Sequence, residues 1–185
     1  MTNKGYSIAA NTLSIVENVR FAIVVDGPCR AYMRPIHRMT KSQSWVLNPQ
    51  GKNQAGMRLV IKQAIEALLR RPVRRPNLIF AKNQALQVRV HFYMERPPNH
   101  FTSPDTRYEA ALKEQYLIQR NHTVFPDIDN LAKYLMDDPL ENLVYFNDCN
   151  VCSILARKSW DNFGACRGRT EIEIVPVEFD LTNDD

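Results

Sequence analysis

Between Pro126 and Asp137 the spacing of charged residues changes from two to four, and no other feature limits the chain's folding options as strongly. Asp127 and Asp129 lie two apart, so an extended backbone would send both carboxylates to one side. From Asp129 the period becomes helical. Lys133 and Asp137 follow along one face, while Ile128, Leu131, Ala132 and Leu135 take the other. Such a helix must bury its apolar side and present acids around a lysine on its polar side. That set suits a hard cation such as magnesium, and phosphate.

The surrounding chain supplies elements to pack against. Phe21-Ala22-Ile23-Val24-Val25, stopped by Asp26-Gly27-Pro28, predicts a buried strand. Met57, Val60, Ile61, Ala64, Ile65, Leu68 and Leu69 recur at three and four, predicting an amphipathic helix over 54–70. Leu86, Val88, Val90 and Phe92 alternate with polar neighbours and predict a half-buried strand. Residues 97–126 read as an insertion carrying an extra helix over 104–119, opened by a Thr106-x-x-Glu109 capping box. Asp138-Pro139 stops the motif helix. Strands are predicted over 150–158 and 170–175, joined as a closing hairpin by the turn-rich 161–169 segment.

At 185 residues and 44% hydrophobic content, one core is affordable and two are not. The expectation is therefore a single α+β domain, a small mixed sheet packed by two main helices and the inserted one. Residues 1–19 form an N-terminal extension and 178–185 a tail. No run of eighteen apolar residues occurs, and Met1 to Arg20 lacks the layout of a signal peptide, so a soluble intracellular protein without membrane contact is expected. Four cysteines are too few for a disulfide scaffold.

Charge is divided unevenly behind the net +4. Residues 1–80 hold 13 Lys and Arg against 3 Asp and Glu, and residues 81–185 hold 11 against 17. Folded together, these halves would put a positive rim around a negative pocket, the arrangement nucleic acid requires. The rim candidates are Arg34, Arg38, Lys41, Arg74, Arg75, Lys158, Arg167 and Arg169. For any single one, plain solvation is the simpler reading. Tyr32 and Trp45 fit either base stacking or anchoring of their loop.

The run Asp127-x-Asp129-Asn130-x-x-Lys133-x-x-x-Asp137, followed by Asp148 ahead of a strand, resembles the RusA-type Holliday junction resolvases. The likeness extends in order over about residues 20–177. It implies a metal-dependent endodeoxyribonuclease acting in DNA recombination and repair, cutting four-way junctions by paired symmetric nicks and working as a homodimer. By the same resemblance Asp127, Asp129 and Asp148 are metal ligands, Lys133 is the catalytic lysine, and Asn130 and Asp137 are accessory. The cofactor is Mg2+, with Mn2+ able to substitute. Family members often carry basic residues before the first aspartate, where this chain has Val124-Phe125-Pro126.

That chemistry is sound in itself. Magnesium on carboxylates eases deprotonation of water, polarises the phosphoryl oxygen and orients in-line attack, although spacing leaves open whether one or two ions act. Taken singly, Lys133 fits a surface ion pair worth about 0.3–0.5 kcal/mol, and Asp127 or Asp129 a helix cap worth about 1 kcal/mol. Cys149-x-x-Cys152 places its thiols on opposite strand faces and makes a poor zinc site. The rival functions are a nuclease for other branched DNA or RNA, and a junction-binding protein without cleavage.

Overall fold

Burial of one helical face against one face of a sheet organises the structure. The computed structural model describes residues 20–31, 36–39, 44–47, 51–69, 78–103, 111–163 and 166–177. The elements in chain order are β1 (Phe21–Asp26), β2 (Ile36–Met39), β3 (Ser44–Leu47), α1 (Gly51–Leu69), β4 (Leu86–Met94), α2 (Glu114–Leu117), α3 (Ile128–Leu135), β5 (Val151–Trp160) and β6 (Arg169–Pro176). A four-stranded mixed sheet runs β1-β6-β4-β5, and β2 and β3 pair separately. β4 and β5 are parallel, whereas β6 is antiparallel to both β1 and β4. A parallel pair needs a long crossover, and here that crossover carries α2, α3 and the candidate site.

Period-two patterning explains the sheet. Leu86, Val88, Val90, Phe92 and Met94 of β4 are buried, as are Thr170, Ile172 and Ile174 of β6. All of these but Thr170 join Ile61 and Ile65 of α1, Leu131 and Leu135 of α3, and Leu140, Leu143, Val144 and Tyr145 in one cluster reaching from Phe21 to Ile174. One continuous core makes this a single α+β domain. Each fully buried Leu or Ile contributes about 1.5–3 kcal/mol. No helix among the described residues is long and apolar enough to cross a membrane.

Three expectations are corrected. β1 was expected to be buried, yet as an edge strand it buries only Phe21 and Val25 and leaves Val24 55% exposed. The closing hairpin does not form, because β4 lies between β5 and β6. Instead Asp161 and Cys166 both bond at the end of β4, where Met94 accepts from the Asp161 amide and Cys166 from that of Arg96. Buried Asp161 fastens this crossing by accepting from Arg169 at 2.6 Å and from the Gly168 amide at 3.0 Å. Gly168 has φ of +84°, and a Cβ there would stand 3.0 Å from the Tyr93 carbonyl oxygen, so no other residue fits.

The inserted helix is the third correction. Among the described residues of that stretch, 111–119, only Glu114–Leu117 is helical; Leu112 pairs with Phe101 as an isolated bridge, and the Thr106–Glu109 box lies outside the described residues, as do 1–19 and 178–185. Bonds to residues 100–102 supply the physical reason: the Ala111 carbonyl accepts from the Thr102 amide at 2.9 Å and the Lys113 amide donates to the His100 carbonyl at 3.0 Å, so the chain is extended just before the helix. The Arg96 side chain is fully buried and donates to the carbonyls of Tyr116 and Gln119, at the open C-terminal end of that short helix. It also donates to His100 Nδ1 and Asn162, and it lies 5.1 Å from the Trp160 ring. His100 stacks on Tyr116, and His100 and His122 both meet the edge or face of Trp160.

Removing this guanidinium leaves several buried acceptors unpaired, so Arg96→Ala should cost about 3 kcal/mol or more in urea unfolding and open residues 98–119 to proteolysis. The neighbouring histidines make stability pH-dependent. Burial first, with Arg96 and Lys113 behind it, lowers His100 below 6.5; burial and then Lys158 lower His122. The unfolded chain therefore takes up protons that the folded one refuses. Unfolding free energy should be level above 6.5 and fall as pH drops below it, and His100→Gln with His122→Gln should flatten that slope.

Candidate active site

Apolar burial fixes how α3 faces. Leu131, Ala132, Tyr134 and Leu135 are buried, while Asp127, Asp129 and Lys133 are exposed and Asn130 is half-buried. Ile128, expected on the apolar side, is 37% exposed because it opens the helix where the core has not yet closed over it. The helix starts at Ile128, one residue earlier than the spacing suggests. Asp127 is thus the N-cap residue, extended at φ −71° and ψ 150°, and its carboxylate makes no capping bond. Asp129 stands in the positively polarised first turn. The regular helix ends at Leu135, and a wider π turn, Met136–Leu140, contains Asp137 and Pro139.

That turn brings Asp137 into the field of Asp148. Burial raises the Asp137 carboxyl above its ordinary value; Lys133 opposes the rise and Asp148 adds to it. Beneath them lies Tyr145, fully buried, its hydroxyl donating to the Met136 carbonyl at 3.3 Å. Its phenol is pushed up by burial and then by Asp148, Glu141 and Asp137. Asp137, Asp148 and Lys133 therefore form one electrostatic neighbourhood, with Tyr145 as its floor.

Asp148 is carried on a short 3-10 turn, Asp148–Asn150, with Asn147 as N-cap. The Asn147 side chain accepts from the Cys149 amide at 3.0 Å, and Asn150 Oδ1 accepts from the Asn147 amide at 3.2 Å. Asn150 is only 6% exposed and also donates to the carbonyls of Lys82 at 2.7 Å and Gln84 at 3.1 Å. This single amide joins the starts of the parallel strands β4 and β5 and leaves the Asp148 carboxylate exposed on a pinned turn. Asn150, Tyr145 and Glu141 were missed in the sequence; only the Asn147-x-x-Asn150 spacing, a capping box, could have drawn attention to one of them.

Asp127 is anchored elsewhere. Lys158 donates to the carbonyls of Val124 and Pro126, just ahead of it. Among the described residues no three His, Cys, Asp or Glu side chains form a group able to hold a metal ion. The donors nevertheless suit a hard cation: exposed carboxylate oxygens, with Asp137 raised partly by Asp148 in a way that a nearby positive ion would relieve.

The basic candidates divide. Arg34, Lys41, Arg74 and Arg75 lie outside the described residues, as does Tyr32, and of Arg38 only the β2 backbone is described. Arg167 is exposed. Arg169 pairs with Asp161 and Glu171 and lies 3.7 Å from the Tyr93 ring centre. All four cysteines are free, with Cys149 and Cys152 exposed, and burial pushes the Cys29 thiol up to about 11.

The coupling at Asp137 can be measured. In a carboxyl-detected NMR titration, Asp148→Asn should bring the Asp137 pKa down and Lys133→Met should drive it up, since each variant removes one opposing contribution.

A family model described as Endodeoxyribonuclease RusA matches residues 60–175, from the middle of α1 to the end of β6 and including every candidate acid and Lys133. No curated protein matches the chain. With the motif, the mixed sheet and the family match in agreement, the chain belongs to the RusA endodeoxyribonuclease family, and it is a nuclease.

Proposed function

We propose that this protein cuts four-way DNA junctions by paired, symmetric phosphodiester hydrolysis that depends on Mg2+, with Mn2+ able to substitute. The observation that carries this reading is that Asp127, Asp129, Lys133 and Asp148 all stand exposed within the segment matched by the RusA family model, the first three presented by one helix whose other face is buried. An exposed anionic surface of this kind repels DNA unless a cation joins it.

In this reading Asp127, Asp129 and Asp148 hold the ion through carboxylate oxygens. The ion supplies an acidified water and charge neutralisation at the scissile phosphate. Lys133, one helical turn beyond Asp129, stabilises charge on the phosphoryl or leaving oxygen. Asn130 and Asp137 orient these groups. Duplex arms are gripped by basic residues drawn from Arg34, Arg38, Lys41, Arg74, Arg75, Arg167 and Arg169. Two symmetric nicks require two such sites about a twofold axis, hence a homodimer. A four-way junction is an intermediate of strand exchange, which places the activity in DNA recombination and repair inside the cell.

The acids specify cleavage chemistry and not substrate shape, so flaps, forks and structured RNA are the competing substrates. Synthetic four-way junctions, incubated with and without Mg2+, decide between them: paired symmetric nicks support the proposal, nicks confined to other branches favour the competitors, and tight binding without nicks marks a junction-binding protein. Asp129→Asn should lower cleavage by at least about 100-fold while junction binding in the absence of metal is retained or improved, because a negative charge near phosphate is gone. Loss of binding instead would count against Asp129 as a ligand.

A further inference from the structure

Lys158 belongs by composition to the DNA-binding rim, but its bonding is directed inward. Its Nζ donates to the Val124 carbonyl at 2.9 Å and to the Pro126 carbonyl at 2.7 Å, more than thirty residues away in sequence. Both acceptors belong to the strap that delivers Asp127. We propose that Lys158 is a positioning residue, holding that strap so that the Asp127 carboxylate is presented at the site; the inference rests on the reading of Asp127 given above.

Three observations support it. The strap has little apolar burial of its own, with Val124 56% and Phe125 75% exposed, so hydrogen bonds must fix its path. Two further attachments, the Asn121–Ser159 bridge and the Trp160 amide to the Arg120 carbonyl at 2.7 Å, come from the same end of β5 but stop at Asn121. Lys158 alone among the bonds described for β5 reaches the residue adjoining Asp127. Finally, Asp127 makes no capping bond, so its direction is set by the backbone that Lys158 holds. An ammonium bonded to two carbonyls is suited to this task, because its hydrogen bonds are charge-assisted and need no second ion.

The test compares Lys158→Met, which keeps the aliphatic stem, and Lys158→Arg, which keeps the charge and the donors, with the wild type. Three quantities are read: junction cleavage with Mg2+, metal-free junction affinity with its salt dependence, and amide hydrogen exchange over residues 121–129. Positioning predicts that Lys158→Met slows cleavage about 10- to 100-fold, leaves affinity and salt slope unchanged, and speeds exchange before Asp127, with Lys158→Arg restoring both rates. A salt slope reduced by about one with exchange unchanged identifies a phosphate contact and overturns the proposal. Wild-type cleavage and exchange in Lys158→Met overturn it as well, and global unfolding of that variant assigns Lys158 to general stability. If the wild type itself does not cut junctions, the nuclease reading of the site fails, while the exchange data still decide whether Lys158 holds the strap.

Discussion

Everything at the candidate site depends on the burial of α3 by its apolar stripe. Leu131 and Leu135 are 0% and 1% exposed and meet Leu140, Val144 and Tyr145 in the same core that holds α1 against the sheet. A helix of eight residues is too short to persist on its own, and tertiary packing supplies its stability. Its orientation follows from the same contacts. With Leu131 and Leu135 inward, Asp129 and Lys133 have no place except the surface, and the π turn at Met136–Leu140 then swings Asp137 toward Asp148.

Cations hold the loops around this helix, mostly through backbone carbonyls. Arg58 donates to the Glu141 carbonyl at 2.7 Å, Lys113 to that of Asn99, Arg96 to those of Tyr116 and Gln119, and Lys158 to those of Val124 and Pro126. Irregular segments expose carbonyls that no helix or sheet satisfies, and long basic side chains reach them. The long crossover between β4 and β5 is rich in such segments, so part of the chain's positive charge serves to shape the crossover.

Much of the fold was legible because it rests on periodicity. The alternation of β4 and β6 and the three-four spacing of α1 each survive in the structure to within a few residues. The acids and Lys133 were legible too, since their spacing follows one helical face. What was not legible depended on partners distant in sequence. β5 and β6 look like a hairpin because they are consecutive, but β4 supplies a better-buried partner for each. The inserted helix follows local spacing, but Ala111 and Lys113 bond to Thr102 and His100 instead. Asn150 carries no sign of its two distant backbone contacts, and Lys158 and Arg169 look identical to surface cations until their neighbours are known.

The sequence alone determined the chemistry available here: hard oxygen donors around one lysine, on a helix whose other side must be buried, because side-chain type and period are local properties. Only the tertiary structure decided where that chemistry is presented. The pairing of Asp148 with Asp137, the floor provided by Tyr145, the pinning of the Asp148 turn by Asn150 and the anchoring of the Asp127 strap by Lys158 all join residues brought together by core packing and strand order, and distances of that kind are not encoded in any local pattern.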